Sequence, residues 1–341
     1  MSESLRDYTS LHIGGPAKRF IHAKSETELV DAVKSADAAG EPLLIIGGGS
    51  NVLIGDEGFP GTVVRVETKG NSFELDACSG AMITVAAGEN WDEFVAWSIS
   101  KGFVGLETLS GIPGTIGASP IQNIGAYGHE VAETIARVRT WDRKTGAYKT
   151  FSNSECGFEY RSSIFKREKD RYLIIDVTFQ LANGELGLPI KYGELARALG
   201  VELEARVLVE DVRAAVLSLR ALKGMLLDAK DHDTWSAGSF FVNPIVSAEV
   251  AAKLPADAPR WPQEDGRVKT SAAWLMERAG VKKGDCNGGA GVSTKHVLAL
   301  VNNGTAKASD LIELARSSRS AVKEAFGIVL EPEVQFVGLS L

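Results

Sequence analysis

The chain is poor in the features that build most specialised folds. It has three cysteines, Cys78, Cys156 and Cys286, an odd number spread widely with no C-x-x-C pair. That spacing argues against a disulfide framework or a zinc site and fits a reducing compartment. Basic residues do not dominate: 37 Lys and Arg face 44 Asp and Glu, for a formal charge of -7. A chain without a basic footprint is a poor nucleic-acid binder. The opening "MSESLRDYTS" has no apolar signal core, and no apolar run is long enough to cross a bilayer, so a cytoplasmic location without membrane insertion is expected. Repeats of fixed period and low-complexity tracts are also missing.

What is present reads as two domains, since 341 residues exceed one small core. In "SETELVDAVKSADAAG", Ser25 and Glu28 form a capping box, Leu29, Val33 and Ala36 keep helical spacing, and Gly40 closes the helix. Strands are predicted at 43–46, 52–54, 62–66 and 82–87, and a second helix starts at Asn90. Lys144-Thr145-Gly146 centres a hairpin, and "YLIIDVTFQL" is a further strand. Strands with few helices between them indicate α+β rather than doubly wound α/β. In the second half, helices are expected in 192–200, 208–224, 271–280 and 309–327, with strands at 236–247 and 296–304 and a surface loop at 253–267. The domain boundary falls near the helix at 209–223, and "EPEVQFVG" forms a last strand of either domain.

Two glycine-rich segments carry the chemistry. "LLIIGGGSNVLI" lacks the third glycine and the following helix of a dinucleotide fingerprint, and it has no Gly-Lys-Ser/Thr of a Walker loop. Consecutive glycines after a buried strand can still aim successive amides at an anion, although for this segment taken alone a plain tight turn is the readier account. The stretch from Gly105 to Gly128 holds only one charge, Glu107, and long uncharged loops in compact domains are usually functional. Together the two loops suit a ligand with a pyrophosphate at one end and a ring system at the other.

"IIGGGSNVL" followed by "LSGIPGTIGASPIQNIGAYG" resembles the flavin-binding domain of the UDP-N-acetylenolpyruvoylglucosamine reductase family, in its longer-chain subclass. "YRSSIFK", "AGSFFVNP" and "LEPEVQFVG" extend the resemblance nearly end to end and are specific to that reductase. The resemblance implies a two-lobed FAD-binding domain of the vanillyl-alcohol-oxidase/PCMH type over 1–210, split near 67. It implies a smaller α+β substrate domain over 211–328 and a final strand, 329–341, that carries a catalytic glutamate. It implies NADPH-dependent reduction, through non-covalent FAD, of an enolpyruvyl UDP-sugar to UDP-N-acetylmuramate by a protein expected to be monomeric. The cofactor would lie on Gly47, Gly48, Gly49, Ser50, Asn51, Ile112, Pro113, Gly114, Thr115, Gly117, Ala118, Ser119 and Gly125.

That reaction asks for a cation on the substrate carboxylate, a proton donor, and a flavin aligned with the double bond. The resemblance assigns the first to Arg161, the second to Ser239, and an assisting role at the carboxylate end to Glu333. It points to Tyr160, Tyr192, Lys223, Asn243 and His296 for the substrate, with Lys223 at the diphosphate. NADPH would share the substrate pocket. A flavin oxidase of the same cofactor fold would explain the glycine loops but not "AGSFFVNP" and "LEPEVQFVG" together. A non-catalytic UDP-sugar binder would be expected to have lost one of the three catalytic residues.

Overall fold

A computed structural model describes residues 3–76 and 80–341; Cys78 lies outside the described residues. The chain divides into two compact units. One comprises Ala17–Gly48 and Pro60–Leu222, the other Glu3–Pro16, Gly49–Phe59 and Lys223–Leu341. The division at Leu222 comes after the helix Val209–Leu222, later than the 210/211 boundary read from the sequence, because that helix packs Val212 and Val216 against Leu195 and Ala196 of the first unit. The second unit also draws in two short N-terminal segments that no local pattern marks.

In the first unit, the helix Glu26–Ala39 begins at the expected capping box and ends on Gly40 at φ 63°. It accompanies a three-stranded sheet in which Leu43–Ile46 runs parallel to Phe59–Val66. The larger sheet is antiparallel. Tyr172–Asn183 lies between Ile135–Asp142 and Gly80–Ala86, and the hairpin to Ala147–Ser152 turns at 143–146 as read. Its core face buries Ile83, Val85, Val177 and Phe179 under the helix Trp91–Ser100, whose Trp91 and Phe94 rings meet Phe179 at 6.0 and 5.1 Å. Asn90 caps that helix by accepting from Glu93 N.

In the second unit, Ser236–Ser239 pairs with Ala299–Asn302 in a four-stranded sheet covered by the helix Ala308–Phe326. Phe240 and Phe241, both about fully buried (1% exposed each), anchor the core with Leu275, Met276 and Leu311. Three expectations are corrected here. The strand at 236–247 is two: Gly238 takes φ 71°, the register shifts, and Ile245–Val246 joins a different sheet. The loop at 253–267 contains the strand Arg260–Pro262, paired with Val268–Thr270; Arg260 closes the preceding turn by donating to the carbonyls of Leu254, Pro255 and Ala258. The last strand covers only Gln335–Val337, parallel to Val52–Ile54, so Glu333 precedes it instead of alternating within it.

Cys156 and Cys286 are both free thiols, and burial pushes Cys156 up to about 12. Among the described residues no helix is long and apolar enough to cross a membrane.

Candidate functional site

The two glycine segments meet inside the first unit. Gly47 and Gly48 lie so close to the long loop that a Cβ on Gly47 would stand 2.3 Å from Thr115 Oγ1, and one on Gly48 2.9 Å from Gly114 Cα. Backbone bonds fix the loop beneath them: Trp91 N donates to Gly114 O, Ile116 N to Glu89 O, and Gly117 N to Ala87 O. Ile112 packs on the core, Pro113 is exposed, and Ala118 sits in the one-turn helix Ile116–Ala118. Ser119 is buried and its hydroxyl donates to Ile116 O, so that side chain serves the turn. The amide of Gly48 has no acceptor among the described residues. A turn of this kind, with backbone as close as glycine permits and an amide left to donate, fits the phosphates of a dinucleotide.

In the second unit, Gly49 takes φ 60°, and its carbonyl accepts from Ser10 N. Ser50 follows, and Asn51 donates its side-chain amide to Glu333 O at 3.1 Å while its carbonyl accepts from Gln335 N. The same C-terminal segment reaches the strand of Ser239: Glu333 N donates to Phe240 O and Val242 N to Glu331 O. Ser239, Glu333 and Asn51 are therefore brought together by backbone hydrogen bonds. The Ser239 hydroxyl is half-buried and has no hydrogen-bond partner among the described residues, which leaves its proton for a ligand.

His296 accepts from Leu298 N on Nδ1, which places the proton of the neutral ring on Nε2. Asn243 Oδ1 accepts from Ala272 N at the start of the helix Ala272–Arg278, so its NH2 group is the end turned to other acceptors. Lys223 is half-buried. Lys295 is held by acids, since its Nζ lies 2.5 Å from Asp231 and 3.9 Å from Asp233. The acids of the stretch 224–237, which the sequence left unassigned, are thus largely engaged with Thr294 and Lys295.

Arg161, in the first unit, projects from a left-handed backbone, φ 54°, and donates to Gly125 O at 2.7 Å and Asn123 O at 3.4 Å. Its guanidinium lies 5.4 Å from the Tyr160 ring. Gly125 thus supports Arg161 through its carbonyl. Asn123 and Tyr127 share the left-handed backbone, at φ 47° and 50°; such residues cost of order 1 kcal/mol and gather at functional sites. Tyr127 meets Tyr192 edge-on at 5.6 Å, and burial pushes its hydroxyl up to about 12, so it stays neutral.

Sequence reasoning missed the frame around the long loop. Asp92 accepts from Gly111 N and forms a two-bond pair with Arg213 at 2.6 and 2.9 Å. Arg220, only 8% exposed, donates to Gly111 O, and burial lowers its pKa. Arg213, Arg220 and Val216 at helical spacing on 209–222 were the available signal: a basic stripe beside an apolar one. Burial raises the Asp92 pKa, but the bonds from Arg213 and Gly111 outweigh it and the net shift is downward. The stabilisation is therefore present above the ordinary carboxylate value of 3.8 and fades as the pH falls through the lower folded value. Asp92→Asn is expected to lower the unfolding midpoint by roughly 2–4 °C near neutral pH. The gap between variant and parent should narrow as the pH falls below 3.8 and through the lower folded value. Thermal melts across that pH range check both statements.

Residues 17–152 match the profile of the FAD binding domain, and residues 230–337 that of the UDP-N-acetylenolpyruvoylglucosamine reductase C-terminal domain. The UDP-N-acetylenolpyruvoylglucosamine reductase of Cutibacterium acnes is 52% identical over 340 residues, 99% of this chain and 90% of the relative. The protein of that name from Thermobifida fusca is 49% identical over 347 residues, covering 99% and 97%. The crystal structure of UDP-N-acetylenolpyruvylglucosamine reductase from Thermus caldophilus superposes with a TM-score of 0.67 at 27% identity, covering 99% of this chain and 98% of the other.

Proposed function

The chain belongs to the UDP-N-acetylenolpyruvoylglucosamine reductase family, and we infer that it works as one: it reduces the enolpyruvyl ether of the UDP-sugar to UDP-N-acetylmuramate in peptidoglycan precursor synthesis, with NADPH as donor and FAD as cofactor. The observation that carries this reading onto the residues is the contact of Gly47 and Gly48 with Gly114 and Thr115, with the Gly48 amide left to donate.

Bound FAD would supply the hydride chemistry that links NADPH to the terminal carbon of the enolpyruvyl double bond. The turn 47–51 and the loop from Ile112 to Ser119 would hold its phosphates and ring. The chain's own side chains manage charge and proton. Arg161 grips the substrate carboxylate through a two-pronged guanidinium, stabilising the negative charge that builds as hydride arrives. Its bonds to Gly125 O and Asn123 O hold it ready. Ser239 gives its proton to the carbon bearing the ether oxygen, completing the addition of H⁻ and H⁺ across the double bond. Glu333, placed by its amide bond to Phe240 O, assists at the carboxylate end. Lys223 faces the diphosphate, and Tyr160, Tyr192, Asn243 and His296 hold the rest of the nucleotide sugar. The turn 47–51 contains no histidine or cysteine, which supports non-covalent FAD.

Arg161→Met is expected to reduce kcat/KM for the UDP-sugar by roughly 10²–10³-fold. Arg161→Lys should restore little, because an ammonium cannot make two parallel bonds to a carboxylate. Flavin bleaching by NADPH in the Met variant serves as the internal control. Formation of one UDP-N-acetylmuramate per NADPH consumed, followed by mass spectrometry, tests the activity itself. We also propose a cytoplasmic monomer. The nucleotide substrates support the compartment, and a solution mass near 36.4 kDa checks the state.

A further inference from the structure

Glu107 is the one charge between Gly105 and Gly128, and the reaction gives it no task. It is fully buried. Its oxygens accept from backbone amides of two separate segments: Oε2 from Gly105 N at 2.7 Å and Oε1 from Leu188 N at 2.6 Å. It makes no ion pair among the described residues. A carboxylate removed from water with backbone donors alone is a costly way to fill space, so what it joins is informative.

Gly105 opens the long glycine-rich loop. Leu188 lies on a strap, residues 184–191, that ends at Tyr192, the residue capping the helix Gly193–Leu199. The strap is otherwise tied to the turn after that helix, Gly187 N to Val207 O and Ile190 N to Ala205 O. The glycine-rich side grips it a second time, for His129 Nε2 lies 2.9 Å from Pro189 O. Tyr192 is 43% exposed, with its ring edge-on to Tyr127. The position of this exposed ring is thus set through a strap whose inner anchor is Glu107.

We propose that Glu107 is a positioning residue for the UDP-sugar: by holding Leu188 it fixes the strap at the depth from which Tyr192 covers the nucleotide. This rests on the function given above, in which Tyr192 contacts that substrate. Glu107 itself touches neither substrate nor cofactor. Only a carboxylate serves, because both neighbours are donors and both oxygens must accept. The strap side is equally demanding, since a Cβ on Gly187 would stand 2.6 Å from Glu107 Oε1.

Two variants attack the same contact from opposite sides. Glu107→Gln turns one acceptor into a donor facing an N–H. Gly187→Ala displaces the carboxylate and leaves its charge. The FAD-loaded proteins are titrated with the enolpyruvyl UDP-sugar, read by the flavin absorbance, and amide exchange is followed by mass spectrometry. Both variants are expected to raise Kd at least about fivefold, a shift of about one kcal/mol. Exchange should quicken across 186–192 while Tyr172–Asn183 and FAD content stay as in the parent. A Kd within about twofold of the parent despite a loosened strap would overturn the proposal. So would exchange quickened equally in Tyr172–Asn183, the mark of a general loss of packing. A parent protein whose flavin never responds to the UDP-sugar would overturn the function itself, and the role of Glu107 with it.

Discussion

Ser239→Ala is expected to cut turnover by roughly 10²–10⁴-fold, the usual worth of a positioned proton donor, while NADPH still bleaches the flavin at the parental rate. The asymmetry between the two halves of the cycle is the informative part. Hydride transfer from NADPH needs no proton from the chain. Saturation of the enol ether does, because the carbon next to the carboxylate must be protonated once hydride has reached its neighbour. Ser239 ends a strand held to Ala299, over the buried rings of Phe240 and Phe241. Its hydroxyl has no partner among the described residues, and the next residue's carbonyl receives the Glu333 amide. Removing one oxygen there leaves the backbone and the core undisturbed. Stopped-flow measurement of flavin reoxidation by the UDP-sugar reads the loss directly. Unchanged reoxidation would sink the proton-donor role.

Gly48→Ala should have the largest effect on the cofactor. The new Cβ would meet Gly114 Cα at 2.9 Å and Gly114 C at 3.3 Å, both backbone atoms that cannot rotate away. The turn and the long loop must separate, and amides aligned on the phosphates lose their aim. Hydrogen bonds to charged groups contribute about 1.5–3 kcal/mol each, so losing two weakens FAD binding by about 10²-fold or more. The purified variant is expected to be colourless and inactive, yet folded by circular dichroism. A yellow Gly48→Ala protein with parental FAD content would refute the placement of the phosphates at this turn.

Features controlled by neighbouring residues were legible in the sequence. The capping box at Ser25 and Glu28, the Gly40 terminus, the Asn90 cap and the hairpin at 144–146 each follow from groups within a few residues of one another. The two glycine segments stood out in the sequence, but the approach of Gly48 to Gly114 did not. The rest depends on partners distant in the chain. No local pattern shows that Val52–Ile54 pairs with Gln335–Val337, and that pairing draws residues 49–59 and Glu333 into one unit. Arg260–Pro262 was hidden by its prolines, although Trp261 and the guanidinium that closes the preceding turn favour a strand there. The Asp92–Arg213 pair and the buried Glu107 were invisible for the same reason. A charged residue in sequence reads as surface until its partner is known.

The most direct test is the visible spectrum of the purified protein under anaerobic conditions, recorded as NADPH and then the enolpyruvyl UDP-sugar are added. A yellow protein that NADPH bleaches and the UDP-sugar restores is the expected result, one half-reaction after the other. A protein that bleaches and stays bleached when the UDP-sugar is added would contradict the assigned reaction.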